Sequence, residues 1–220
     1  MNELLLILEI IIIFSMLLIS KKLFGKNGLL VWMGLATVLA NIQVVKSVDL
    51  FGLSSTLGNV LFASTFLATD IMSECYDKET SKQGVFIGLF SVILYLVVTQ
   101  MSLLFQPNDI DVANDAMKIL FGLAPRICIS SVLMYFVANM ADIWLFEKLR
   151  KLFNGKKLWL RNNVSTIVCN VGETFIFTFL AFAGVYSVQD MLMIAWTSAI
   201  IETFIALCDT PFLYLAKKIK

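Results

Sequence analysis

Acidic residues inside apolar segments are the side chains of this sequence best suited to chemistry. Seven of them interrupt long apolar runs, and they are Glu9, Asp70, Glu74, Asp142, Glu173, Glu202 and Asp209. A charged group costs roughly 2.5–3.5 kcal/mol at the centre of a membrane helix, so such a residue is expected to have a function or a partner. Glu173 and Glu202 fall near the middle of their runs. The one basic residue inside these apolar runs is Arg126, which falls close to the end of its run.

Helical spacing groups these acidic residues with amides, hydroxyls and aromatic rings, because residues three or four apart share a helix face. Four stripes result: Asn59, Ala63, Phe66, Asp70 and Glu74; Ser131, Tyr135, Asn139 and Asp142; Thr166, Asn170, Glu173 and Phe177; and Ser198, Glu202 and Asp209. Four helices with such faces predict a polar pocket between them. Because acidic groups outnumber the arginine, we expect this pocket to favour a cation or a ligand rich in hydrogen-bond donors.

Several of these residues also allow a purely structural interpretation. Glu74 and Asp142 lie near the ends of their runs, where they could cap helices. The segment Asp209-Thr210-Pro211 is compatible with a kink in which the threonine hydroxyl satisfies backbone groups freed by the proline. Glu9 could face a neighbouring helix. A purely structural role accounts for Glu173 least well.

Membrane-spanning helices are the elements that must position these side chains. The 220 residues are 59% apolar and only 15% charged, and a soluble domain usually has about 25% charged residues. A helix needs about 20 apolar residues to cross a bilayer. Seven segments qualify: Leu4–Ser20, Gly28–Val45, Leu57–Cys75, Gly84–Phe105, Pro125–Leu145, Val164–Tyr186 and Met191–Leu215. The sequence therefore predicts an all-α, polytopic helix bundle that forms a single integral membrane domain over residues 1–220.

The distribution of lysine and arginine predicts the orientation of this bundle. With seven spans, 14 of the 17 basic residues fall on one side of the membrane. Basic residues concentrate in cytoplasmic loops. We therefore expect the N-terminus outside and the C-terminus in the cytoplasm.

Absent residue types exclude several functional classes. The sequence contains no histidine, and its four cysteines stand singly, so neither His-based metal sites nor Ser-His catalysis is expected. It has no GxxxxGK[ST], HExxH or GxSxG motif, so no ATPase, metalloprotease or serine hydrolase is indicated. The net charge of +1 gives no general attraction to nucleic acid. We therefore predict a protein that is not an enzyme and that needs no metal or cofactor.

The segment Phe66-Leu67-Ala68-Thr69-Asp70-Ile71-Met72-Ser73-Glu74-Cys75-Tyr76 resembles the signature of the queuosine precursor transporter family, also called the vitamin-uptake transporter family. The resemblance extends to Ala40-Asn41-Ile42, Arg126-Ile127, Leu160 to Thr166, Asn170 to Thr174, and Asp209 to Phe212. Members of this family commonly have six spans. Residues 1–27 are therefore expected to be an additional N-terminal span and basic loop, and residues 28–220 the transporter core.

The resemblance implies uptake of 7-deazaguanine bases, such as the cyano and aminomethyl forms or queuine, across the cytoplasmic (inner) membrane. A carboxylate can accept both donors of a guanine-like edge, and aromatic rings can stack on the base. We expect Glu173 to bind this edge, with Asp70 and Glu74 completing the site. Secondary candidates are Asn139, Asn170, Asp142 and Asp209, with Phe66, Tyr135 or Phe177 as stacking partners. The family pattern would place a basic residue near Glu202, so its role stays open.

The energy source is open at this point. A carrier could couple to protons through Asp70, Glu74 or Glu173. Alternatively, the chain could be the substrate-binding membrane subunit of a multi-component vitamin importer powered by a separate ATPase module. The expected partners are thus a planar base, the lipid bilayer and either an energising partner or a second copy of the chain in a homodimer. A membrane assembly factor without a ligand would explain the helices but not Glu173.

Overall fold

The computed structural model describes residues 1–122 and 125–219, and for residues 53–54 and 125–128 it describes the backbone alone. The helices are α1 (Asn2–Gln43), α2 (Asn59–Cys75), α3 (Lys78–Leu104), α4 (Asn114–Phe121), α5 (Pro125–Leu152), α6 (Leu158–Phe182) and α7 (Val188–Lys218). Two short strands, β1 (Ser47–Leu50) and β2 (Leu53–Thr56), form an antiparallel hairpin after α1. The prediction of an all-α bundle is confirmed. The side chain of Arg126 lies outside the described residues.

Helix α1 is a helical hairpin that reverses direction at Gly25. This residue has φ +57° and ψ −134°, a conformation that side chains with a Cβ rarely adopt. The Ser20 hydroxyl donates a hydrogen bond to the carbonyl of Gly28 at 3.1 Å, although eight residues of straight helix would separate them by about 12 Å. At the other end of the hairpin, the Asn2 amide donates to the Asp49 carbonyl at 3.0 Å. The predicted spans Leu4–Ser20 and Gly28–Val45 are therefore its two antiparallel halves.

Each of the other five predicted spans falls mainly within one helix. Helices α1, α3, α6 and α7, and α5 from Ile129 onward, are long and apolar enough to cross a membrane. Helix α2 has only 17 residues. Helix α6 begins at Leu158, six residues before the predicted start at Val164, because the polar residues Arg161 and Asn162 are fully buried in protein and not in a loop. Hydropathy alone cannot distinguish polar residues buried in protein from polar residues in a loop.

Helix α2 lies at the centre of the bundle. Nearly every side chain from Val60 to Ser73 is buried, because α1, α3, α5 and α7 all pack around it. The hydroxyls of Ser64, Thr65 and Thr69 donate to backbone carbonyls of their own helix, so these buried polar groups have partners. A helix surrounded by protein on all sides can carry Asp70 without exposing its carboxyl group to lipid.

The two ends of the bundle differ in composition. At one end, which we call the basic end, lie the Gly25 turn, residues 76–77, residues 153–157 and the end of α7. The buried Lys21 ammonium donates there to the carbonyls of Ala216 and Ile219 at 2.6 and 2.8 Å. The opposite end, which we call the hairpin end, carries the N-terminus, the β1–β2 hairpin and α4. The N-terminus and the end of α7 therefore lie at opposite ends.

The Gly25 turn leads to a stability prediction. Replacing Gly25 with alanine should destabilise the protein by about 1–3 kcal/mol, because the backbone conformation is unfavourable for a residue with a Cβ. The nearest atom to an added Cβ is the Tyr76 hydroxyl at 3.7 Å, so the cost comes from the backbone and not from a clash. Thermal unfolding of the purified protein in detergent measures the effect.

Gly172→Ala is the matched control, since Gly172 has no positive φ, lies within α6 and has open space around it. That change should be neutral or slightly stabilising because alanine favours helix. Equal unfolding temperatures for the two variants would contradict the role assigned to Gly25.

Candidate functional site

A cavity of about 360 Å³ opens between α1, α2, α6 and α7 toward the hairpin end. It is walled by the end of α1, residues 56–59, Phe62 of α2, Ser131 of α5, and the facing sides of α6 and α7. Its polar lining residues are Asn41, Thr56, Asn59, Ser131, Glu173, Thr174, Thr178, Ser198 and Glu202. The volume suits a small molecule, since ligand pockets measure about 300–1,000 Å³.

Two carboxyl groups dominate the charge of this cavity. Glu173 on α6 and Glu202 on α7 both line it, and the Thr174 hydroxyl donates to Glu202 Oε2 at 2.5 Å. Thr174 Oγ1 also lies 2.8 Å from the Asn170 carbonyl, one turn away. Among the described residues, none that lines the cavity is basic. The cavity is therefore suited to a ligand that brings its own positive charge or several hydrogen-bond donors.

Aromatic rings supply the apolar part of the wall. Phe62, Phe177 and Phe182 line the cavity, and the rings of Phe177 and Phe182 meet edge to face with centroids 6.3 Å apart. The amides of Asn41 and Asn59 lie beside them, each donating a bond within its own segment, to the Thr37 carbonyl and the Ser55 hydroxyl respectively. Aromatic faces next to carboxylates and amides form a combination that can bind a flat polar ring.

The predicted aromatic residues Phe66 and Tyr135 lie behind this wall. Both are buried and contact the ring of Phe62, with centroid distances of 5.4 and 6.3 Å. Tyr135 lines a smaller void of about 30 Å³ that shares Asn41, Phe62 and Ser131 with the main cavity. Phe177 is the predicted stacking residue that the structure places on the cavity surface, whereas Phe66 and Tyr135 support Phe62 from behind.

Three predicted carboxyl residues form a separate cluster deeper in the bundle. Asp70 on α2, Asp142 on α5 and Asp209 on α7 are almost completely inaccessible, and none lines the cavity. Asn162 donates to Asp209 at 2.5 Å, and the Thr166 hydroxyl lies 3.5 Å from Asp70. We call Asp70, Asp142 and Asp209 the acidic cluster.

The predicted amides Asn139 and Asn170 are also buried outside the cavity. Asn139 bonds to the Tyr135 carbonyl at 3.0 Å and lies 3.5 Å from the Thr65 hydroxyl. Asn170 has a side-chain oxygen without a hydrogen-bond partner. On α6, Asn170 lies between Glu173 in the cavity and Thr166 beside Asp70, so the polar stripe predicted for this helix links the cavity to the acidic cluster.

Glu74 belongs to a third group, at the basic end. Arg161 donates to one carboxylate oxygen of Glu74 at 3.0 Å, and Lys217 donates to the other at 2.6 Å. The Arg161 guanidinium also stacks on the Phe146 ring at 4.9 Å. The structure thus separates the predicted site residues into three levels: the cavity with Glu173, the acidic cluster, and this ion-paired group.

The sequence interpretation did not include several cavity residues. Asn41 and Thr174 lie within the motif segments but carry no charge, and Phe62 lies one turn before Phe66 on the same helix. Arg161 was counted with the loop before the sixth span. Because this residue begins a polar run, Arg161-Asn162-Asn163, hydropathy does not show that α6 already includes it.

Comparison with known proteins agrees with the membrane helices described above. Residues 56–216 match the family model described as "Putative vitamin uptake transporter". This match covers most of the chain. The chain belongs to the vitamin uptake transporter family. Together with its long apolar helices, membership of this family makes it a multi-pass membrane protein.

Three curated relatives carry related names. A "Probable queuosine precursor transporter" of Bacillus subtilis (strain 168) is 40% identical over 209 residues, which are 94% of this chain and 91% of the relative. The "Queuosine precursor transporter" of Escherichia coli (strain K12) is 27% identical over 70% of this chain and 68% of its own length. A "Probable queuosine precursor transporter" of Haemophilus influenzae (strain ATCC 51907 / DSM 11121 / KW20 / Rd) is 27% identical over 60% of this chain and 54% of its own length. No solved structure matches the chain.

The ion-paired group leads to a prediction about stability. Arg161→Met should destabilise the protein by about 3–5 kcal/mol, because it removes a fully buried partner of Glu74. Lys217→Met removes the other partner, but that side chain is 53% exposed, so we expect a loss of about 0–1 kcal/mol. Thermal unfolding in detergent compares the two variants. Equal losses of stability in the two variants would contradict the difference that we expect from burial.

Proposed function

We propose that this chain imports queuosine precursors, the 7-deazaguanine bases, across the cytoplasmic membrane and binds them in the cavity. The observation that carries the proposal is the pairing of Glu173 and Glu202 with the phenylalanine wall in one cavity of suitable size. The names of the curated relatives support the choice of substrate. The protein acts as a transporter and not as an enzyme, so the base is expected to arrive unchanged.

The chemistry of the base fits these residues. A guanine-like edge presents a ring N–H and an exocyclic amine side by side, which one carboxylate can accept in bidentate fashion. We assign this contact to Glu173. The aminomethyl precursor carries an additional cation, which we assign to Glu202. Phe62 and Phe177 stack on the ring, and the amides of Asn41 and Asn59 provide donors for its carbonyl oxygen.

We also propose that the basic end faces the cytoplasm. It carries 13 of the basic residues that the structure describes, and such residues accumulate on the cytoplasmic side. The N-terminus and the cavity then face outward, as import requires. A fluorescent protein fused to the C-terminus should fold and fluoresce in the cytoplasm, and alkaline phosphatase fused there should be inactive. An active phosphatase fusion would reverse the orientation.

Uptake by variants of the two cavity carboxylates tests the substrate assignment. Glu173→Gln should abolish transport of every base, because an amide cannot accept both donors. Glu202→Gln should reduce transport of the aminomethyl base by about tenfold or more, as expected for a charge-assisted contact, and affect the cyano base less. The measurement is accumulation of each base by purified protein in liposomes, followed by mass spectrometry of the recovered base.

Glu9→Gln is the matched control, since Glu9 is an acidic residue of α1 that does not line the cavity. Its uptake should equal that of the wild type. Normal uptake by the Glu173 variant would contradict the assignment. Accumulation by the purified chain alone would exclude an obligate ATPase partner, whereas a chemically altered base would indicate an enzyme.

A further inference from the structure

The acidic cluster lies outside the cavity, so binding of the base does not account for its three buried carboxyl groups. Asp70, Asp142 and Asp209 come from three different helices and are at most 1% exposed. The hydroxyls of Thr69, Ser165 and Thr166 and the carboxyl group of Asp70 surround the Asp142 carboxyl group. Asp70 and Asp209 each have one oxygen without a partner. The unpartnered oxygens of Asp70 and Asp209 are buried acceptors that a bound proton or another donor would satisfy.

The charges around the cluster do not balance if all three groups are ionised. Arg161 of α6 is a cation that acts on Asp70, but one of its nitrogens pairs with Glu74. Glu74 in turn also binds Lys217. The Nε and Nη1 atoms of Arg161 are buried without a hydrogen-bond partner. Among the described residues, the cysteines that interact with the cluster are Cys169 of α6 and Cys208 of α7, which is next to Asp209. Helix α3 also packs against α5, but it has no charged residue after Lys82. Three carboxylates are therefore left with at most one shared positive charge in a medium that penalises bare ions.

The carboxyl groups of this cluster can hold a proton without any further ligand. A sodium or calcium ion needs several oxygen atoms converging at short distance. Among the described residues, no group of three or more acidic, cysteine or histidine side chains has the geometry to hold a metal ion. A proton needs only one oxygen and a neighbouring acceptor, which Asp142 and Asp70 provide for each other.

We propose that the acidic cluster is the proton-binding site that couples substrate uptake to the proton gradient. A proton from outside enters the cluster while the base occupies the cavity, and both are released to the cytoplasm in the same cycle. The proton binds to a carboxylate and leaves it again, so no covalent chemistry is needed. This inference rests on the proposed transport function and assigns the cluster a role separate from base recognition.

Two helices connect the cavity to the cluster physically. On α7, Glu202 and Asp209 are seven residues apart, two turns along the same face and about 10 Å along the axis. On α6, Glu173, Asn170, Thr166 and Asn162 form a continuous polar stripe, which ends at the Asp209 carboxyl group. A shift of either helix on base binding therefore reaches the cluster directly, as coupling between two sites requires.

Proton movement during uptake of a neutral base tests the proposal. Purified full-length protein is placed in liposomes that contain a pH-sensitive dye, and the cyano base is added at equal pH on both sides. The cyano base carries no amine, so any acidification reports protons that the protein carries. We expect the interior to acidify during uptake, and an acidic exterior to increase accumulation.

Asp142→Asn separates coupling from folding and binding. This variant should lose acidification and lower accumulation by about tenfold or more, within the range for coupled sites. It should still exchange labelled base across liposomes loaded with unlabelled base, because a neutral side chain mimics the protonated state. Asp209→Asn provides the same comparison if the first variant is not recovered as folded protein. Glu147→Gln, on the same helix but paired with Arg150, is the control and should behave as wild type.

The outcomes distinguish this inference from the proposed function. Uptake by the wild type without acidification overturns the coupling role and leaves the transport function intact. Accumulation that follows a sodium gradient at constant pH also overturns it, in favour of a metal ion. Normal accumulation by Asp142→Asn overturns it as well. Absence of any uptake of any base overturns the transport function and the coupling together.

Discussion

Enclosure of carboxyl groups away from lipid is the constraint on which the rest of this structure depends. An ionised side chain in hydrocarbon is so unfavourable that each acidic residue must face another helix or a polar space. Helix α2 makes this possible, because neighbouring helices cover it from Val60 to Ser73. The outer faces of α1, α3 and α7 carry exposed apolar side chains instead. The polar groups are therefore concentrated in the interior, where they can serve binding.

The interior polar groups are ordered along the bundle axis. The cavity with Glu173 and Glu202 lies toward the hairpin end, the acidic cluster lies deeper, and Glu74 with Arg161 lies at the basic end. Helix α6 contributes to all three levels through Glu173, Thr166 and Arg161. The cavity that we propose as the binding site thus lies toward one end of the bundle, and the ion-paired group lies at the other. Helix α6 contributes side chains to both the cavity and the ion-paired group.

Much of the architecture could be predicted from the sequence, because the apolar runs are long and span length follows from bilayer thickness. The two spans Leu4–Ser20 and Gly28–Val45 placed the reversal between residues 20 and 28, but hydropathy could not show that it turns at Gly25. The β1–β2 hairpin lies in a short segment of mixed polarity that no helix pattern describes. The start of α6 was missed because buried polar residues resemble a loop.

The site was predicted in part for a similar physical reason. Mid-membrane depth and helix face identified Glu173, which the structure places in the cavity. The same spacing put Asp70, Asp142 and Asp209 on inward faces, but a stripe on one helix does not tell at which depth the neighbouring helices supply their partners. Phe62 and Thr174 carry no charge, so only the packing of α2 and α6 shows that they line the cavity.

The contact of Lys21 with the end of α7 has a consequence for biogenesis. Its buried ammonium group bonds to carbonyls 195 and 198 residues later in the chain. These acceptors exist only after the last helix has been synthesised and packed, so until then water or lipid headgroups at the basic end must satisfy the Lys21 ammonium group.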